Sequence, residues 1–282
     1  DKIQRILCPC NLNLVHLFTL SEGEAREMSD WVIGASKRTL EKLPNAPRKR
    51  LGDAPFAAVV LKCLMERVRP SKVVFSVDGL REGWYMRHVA SSVAGEDPMT
   101  TLAEEMADRL ARSVTLSKAL VDWTTPIFRG ETPSQKRLRQ LTCTLSDIGS
   151  YDHPEYRAEQ TYQRVMHCHG VGFEHTARAF IGLTLAVRYE VAMDSPLIEP
   201  SRRLLSRSEI DRAVKLGLAL RLAYTLCAGT EVLLEECRLL VEEPQLVLIL
   251  GARSVRAAGS AVRRRFERLA AAMQLEAQVR EE

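Results

Sequence analysis

The segment SRSEIDRAVKLGLALRLAYTL, residues 206–226, most restricts what this chain can fold into. Its apolar residues fall on most faces of a helix instead of along one stripe, so the helix must be enclosed by others. The richest apolar stretch, LGLALRLAYTLCAG, carries Arg221 in its middle and is too short to cross a membrane. A buried central helix calls for a multi-helix domain, and the preceding hundred residues supply the partners. TLAEEMADRLARSVTLSKALVDW opens with Thr101 and Glu104 in capping-box spacing. TPSQKRLRQLTCTLSDIG places Thr132 as N-cap, Pro133 at the first helical position and Gln135 three residues on. Its Leu138, Leu141, Leu145 and Ile148 form one apolar stripe. PEYRAEQTYQRVMH and FEHTARAFIGLTLAVRYEV read as two further helices.

Both ends depart from this helical character. In the first eighty residues, LNLVHLFTL (12–20) and KVVFSV (72–77) read as strands, the second as a buried one between Pro70 and Gly79. SEGE at Ser21–Glu24 caps a helix expected to run to about Ala35. PFAAVVLKCLMERV (55–68) reads as an amphipathic helix opened by proline, and KLPNAPRKRLGD as a basic loop. SSVAGEDPMT (91–100) is the expected linker. At the other end CRLLVEE and QLVLIL predict a hairpin turning at Glu242–Pro244. A last helix follows, with Val262, Phe266, Leu269 and Met273 on one face and Arg263, Arg264, Arg265 and Arg268 around the rest. The fold class is therefore mostly α, with a small N-terminal α/β piece over 1–90 and a helical domain over 91–282 that ends in a hairpin and helix.

Bulk properties narrow the function classes. With 282 residues, 46% apolar and 27% charged, the chain can bury a sizeable core. No run of about 18 uncharged apolar residues points to a membrane partner. Seven cysteines without regular spacing indicate a reducing compartment, so the expected location is cytoplasmic. CPC at Cys8–Cys10 lacks a second pair and is not assigned as a metal site. A net charge of +4, with few aromatics among the basic residues, disfavours nucleic acid.

Two further patterns carry a resemblance. VVFSVDGLREGW (73–84) holds an S-x-x-G-L-R-E-G element, and SDIGSYDHPEYRAEQ is followed by GFEHTARAF and RYE. Together, in this order, they resemble the exopolyphosphatase/guanosine-pentaphosphate phosphohydrolase family. The resemblance implies that residues 1–90 end an actin-like (ribonuclease H-like) phosphatase domain and that the remainder is an HD-like helical module. It implies a parent hydrolase that releases orthophosphate from the ends of inorganic polyphosphate. Mg²⁺ and phosphate loops would lie upstream of Asp1, leaving this chain without cofactor or catalytic residues. It further implies a homodimer. A guanosine pentaphosphate substrate and a non-catalytic HD-like interaction module are the alternatives.

HD phosphohydrolases converge histidines and aspartates on a metal that activates water. Here the pair reads Ser146–Asp147, and a serine hydroxyl is a poor substitute for an imidazole ligand. The degenerate site comprises Ser146, Asp147, His153 and His175. An autonomous phosphohydrolase rebuilt from Asp147, His153 and His175 is the competing reading. Arg81, Arg137, Arg139, Arg157 and Arg178 are the candidate contacts for a polyanion, since arginine suits bidentate phosphate contact. For Arg157 and Arg178 the bland alternative is pairing with Asp147 and Glu159 inside the bundle, and Arg221 is expected to be a paired core residue.

Overall fold

A computed structural model describes residues 16–42, 48–255 and 258–282. The CPC motif and the start of the LNLVHLFTL strand lie outside the described residues. The fold is mostly helical with small sheets and divides into two compact units, Asp1–Gly95 and Glu96–Glu282.

The first unit is built on two helices, α1 (Glu22–Gly34) and α2 (Ala54–Val68), packed against each other. The Ser21 hydroxyl accepts from the Glu24 backbone at 3.3 Å while the Glu24 carboxylate accepts from the Ser21 backbone at 2.8 Å, so the capping box forms. Strands β1 (Phe18–Ser21) and β2 (Lys72–Phe75) pair antiparallel, with Phe18 opposite Phe75. β2 is not buried on both faces as KVVFSV suggested: Lys72 and Val74 are exposed and Phe75 is buried. A two-stranded sheet here meets a helix on one side only, so its side chains alternate between core and solvent. The GLREG element forms α3 (Leu80–Met86), where Glu82 accepts from the Gly79 backbone at 2.7 Å.

The stretch read as a linker is largely helical. Asp97 caps α4 (Pro98–Leu110), with Pro98 at the first position, so the helix starts ahead of the expected Thr101. The division between units falls within this stretch, at Gly95. The long helix expected over 101–123 is broken into α4 and α5 (Leu116–Thr124). The break has a tertiary cause: the Arg112 backbone N–H is drawn to Asp147 Oδ2, 3.2 Å away, and leaves the helical ladder. α6 (Pro133–Thr144) starts at the predicted Thr132–Gln135 capping box and continues into a short turn, Leu145–Asp147. α7 (Arg157–His167) and α8 (His175–Arg188) follow.

The centre is α9 (Arg207–Cys227), the helix that the sequence singled out, packed against α8 on one side and α10 (Ser260–Met273) on another. Gly217 makes the α8 contact close. A Cβ there would stand 2.6 Å from the Thr184 carbonyl oxygen and 2.7 Å from Val187 Cβ. β3 (Cys237–Glu242) and β4 (Gln245–Leu250) form the expected hairpin. The sheet nevertheless has a third strand that was not expected, β5 (Glu276–Glu281), lying parallel to β4 after α10. Charged residues and an exposed edge hid its alternation.

Candidate anion-binding site

The close α8–α9 contact brings four functional side chains together. Arg221 and Tyr224 stand four and seven residues after Gly217, hence on the same face of α9. Arg188 ends α8, where its cation also meets the negative end of the helix dipole. The guanidinium of Arg188 lies between two aromatic rings, 4.3 Å from the Tyr189 centroid and 3.9 Å from that of Tyr224. Arg188 is buried. It spends one nitrogen on Asp147, while its Nε and Nη1 have no acceptor.

Asp147 is the acidic hub. Its Oδ2 accepts from Arg112 Nε at 2.9 Å as well as from the Arg112 backbone. Its Oδ1 accepts from Arg112 Nη2 and Arg188 Nη2, each at 2.9 Å, and from the Ser150 hydroxyl. Burial pushes its pKa up, but the Arg112 and Ser150 hydrogen bonds and the two arginine charges outweigh that and hold it below the usual carboxylate value. Ser146, the preceding residue, donates to the Cys143 carbonyl at 2.6 Å and bonds the Tyr224 hydroxyl at 2.9 Å. Gly149 lets Thr161 and Tyr189 pack against the chain here, since a Cβ would sit 2.0 Å from Thr161 Oγ1 and 3.0 Å from the Tyr189 hydroxyl.

Around this hub lies a cavity of about 220 Å³ lined by Arg112, Arg157, Arg188, Arg221 and Arg265, with Ser150, Tyr189, Tyr224 and Thr225. Arg265, from the last helix, bonds Thr225 Oγ1 at 2.5 Å. Glu190 takes Arg221 at 2.5 Å and approaches Arg265 at 3.8 Å. Four of these five arginines meet two carboxylates, Asp147 and Glu190, and Arg157 meets neither, which leaves an excess of three positive charges. The Nε atoms of Arg221 and Arg265 are also buried without an acceptor. Unmatched guanidinium charge in a partly enclosed cavity is what a bound phosphate or other oxyanion would neutralise.

The same surroundings do not fit a divalent cation. Both Asp147 oxygens are engaged by arginines, and the surplus charge is positive. His153 is exposed, with Nδ1 accepting from the Glu155 backbone, and His175 is buried at the start of α8. Among the described residues no three His, Cys, Asp or Glu side chains are grouped to hold a metal.

Of the arginines proposed from sequence, Arg157 alone reaches this cavity, and it donates to the Ser150 and Asp152 carbonyls instead of pairing with Asp147 or Glu159. Arg81 stands in solvent beside Glu82, and Arg137 pairs with Asp97, its Nε 2.8 Å from the carboxylate. Arg139 is buried against Glu131. Arg178 is fully buried and has a backbone role: it donates to the Phe173 and Cys168 carbonyls at 2.7 and 2.6 Å, closing the end of α7. Burial pushes its pKa down. Arg112, Arg188 and Arg265 were missed as site residues, and Arg221 was assigned to the core. The Gly217–Arg221–Tyr224 spacing was a legible signal for one wall, whereas nothing local joins Arg112 to an aspartate 35 residues away.

A family model described as "Exopolyphosphatase, C-terminal" matches residues 99–278, a span that includes the whole arginine cavity. No curated protein matches the chain. No helix among the described residues is long and apolar enough to cross a membrane.

Proposed function

The chain belongs to the exopolyphosphatase C-terminal family, and from that premise we propose that its helical unit holds the anionic chain of inorganic polyphosphate for an exopolyphosphatase-type hydrolase. The observation that carries this reading is the surplus of three guanidinium charges around the Asp147 cavity. Polyphosphate offers closely spaced oxyanions, and each guanidinium can meet one with two parallel hydrogen bonds. Hydrolysis is assigned elsewhere in the parent enzyme. Asp147 is a poor general base, because its lone pairs are already engaged and its basicity is reduced. In this reading the serine of the degenerate pair is a brace for Tyr224, and arginines have replaced the metal as the positive charge of the site.

The experiment is calorimetric titration of the chain with tripolyphosphate at low salt, paired with a phosphate-release assay in Mg²⁺. The expected result is binding that weakens as salt rises, without turnover. Absence of binding at low salt would refute the anion-site assignment, and turnover would refute the division of labour.

Guanosine pentaphosphate is the second reading, favoured by one feature. Arg221 and Arg265 also line an adjoining cavity of about 280 Å³ whose other walls include Val187, Val191, Met193, Val214 and Leu218. An apolar lobe beside an arginine lobe suits a phosphate ester with an organic end. Competition between tripolyphosphate and the nucleotide, with at least about tenfold preference for one, separates the two.

A further inference from the structure

Glu190 is placed unlike any other acid around the arginine cavity. It follows the end of α8 with φ of 67°, in the left-handed region that a residue with a side chain seldom adopts. Its backbone N–H bonds the Val187 carbonyl, and the next residue, Val191, bonds the Ala186 carbonyl, so the turn is held at both sides. This turn directs the carboxylate onto Arg221, at 2.5 Å, and toward Arg265, at 3.8 Å. Those are the two arginines shared by the arginine-lined cavity and the adjoining apolar one, and Glu190 itself lines the latter.

The two carboxylates of the site differ in how firmly they are held. Asp147 is almost wholly enclosed and fixed by two arginines and a serine, whereas the Glu190 side chain is 44% exposed and is held by one short ion pair and one long one. A half-exposed pair of this kind contributes little to stability and is readily exchanged. An incoming oxyanion therefore competes with Glu190 for Arg221 and Arg265, and with Asp147 for nothing that can be released cheaply.

We propose that Glu190 is the resident competitor of the anion site. Its carboxylate occupies Arg221 and Arg265 when the cavity is empty and swings away when an oligophosphate binds. The proposal rests on the anion-site reading above and adds to it a residue whose carboxylate an incoming anion must displace. Mass action makes the consequence specific. Removing the competing charge stabilises the bound state relative to the free one, so binding tightens.

The test is titration of the full chain with tripolyphosphate, comparing wild type with Glu190→Gln, Arg221→Met and the double variant. Glu190→Gln is expected to bind about five- to tenfold more tightly than wild type, Arg221→Met more weakly, and the double variant to lose most of the gain, because Arg221 is the short partner of Glu190. Tightening cannot arise from a damaged fold, which would weaken binding. Equal affinities for wild type and Glu190→Gln would overturn the competitor while leaving the anion site intact. A gain that persists undiminished in the Arg221→Met background would also overturn it, because the gain would not act through this pair. No binding by either wild type or Glu190→Gln would overturn the anion site and the competitor together, whereas binding by Glu190→Gln alone would support the competitor in its strongest form.

Discussion

The helical unit contains two arginine–carboxylate clusters that resemble each other in composition and differ in what they leave over. In one, Glu131 is enclosed by Arg139 and Arg212, with contacts of 2.9 and 2.7 Å. Arg139 finds an acceptor for every nitrogen: Glu131 twice, the Val121 carbonyl, Thr124 and Thr125. Phe128 lies near both guanidinium groups, 5.6 Å from Arg139 and 5.2 Å from Arg212. In the other cluster Asp147 and Glu190 serve four of the five arginines around a partly enclosed cavity, and several guanidinium nitrogens stay without acceptors. A saturated cluster joins segments of the fold. An undersaturated one carries charge for which the chain itself supplies no partner. Arginine content does not distinguish them; the ratio of donors to acceptors does.

The largest effect should come from breaking the saturated cluster. Glu131→Ala leaves Arg139 buried without its carboxylate, an arrangement that costs roughly 3–5 kcal/mol. Urea denaturation should show that loss as a lower midpoint with an unchanged slope. Tripolyphosphate binding by the folded fraction should persist, since the Asp147 cavity does not include Glu131.

Asp147→Asn comes next and sharpens the contrast through pH. The Asp147 carboxyl is held below its ordinary value. Its contribution is therefore complete above the unfolded-state value near about 4 and is lost as pH falls through the lower folded value. At pH 7 the asparagine variant should be less stable by about 2–4 kcal/mol, because Arg112 and Arg188 then face an uncharged amide. Toward the acid limit the wild-type and variant stabilities should converge, with the wild type descending to meet a flatter curve. A constant difference across that range would mean that the depressed carboxyl is not the source.

Gly217→Ala tests the helix contact that assembles the cavity. A Cβ at this position meets the Thr184 backbone at 2.6 Å, so α8 and α9 must part, at a cost of about 1–3 kcal/mol. Thermal unfolding should show the loss, and tripolyphosphate affinity should fall with it as Arg188 and Arg221 separate.

The smallest stability effect belongs to the undersaturated cluster. Arg265 keeps only a long contact with Glu190 and a bond to Thr225. Arg265→Met should leave stability within about 0.5 kcal/mol of wild type while binding weakens. A large stability loss in this variant would dissolve the distinction between the clusters.

Local sequence patterns specify the elements of this fold more fully than they specify the site. The capping boxes at Ser21 and Thr132, the central helix, the Glu242–Pro244 turn and the apolar face of the last helix are local patterns, and each appears where it was expected. The α4–α5 break and β5 were not legible, because one depends on a hydrogen bond to Asp147 and the other on pairing with β4. Asp147 stood out in SDIG, and the structure makes it the acceptor for Arg112 and Arg188. Which arginines line the cavity beside Asp147 was not legible, apart from Arg157.

By itself the sequence determined where helices begin and which faces they bury, because capping and periodicity act between residues a few positions apart. The identity of the arginine set was decided only by tertiary structure. Arg112, Arg157, Arg188, Arg221 and Arg265 come from separate segments, and whether a guanidinium is matched or left over depends on the carboxylates that packing places beside it, which no local spacing encodes.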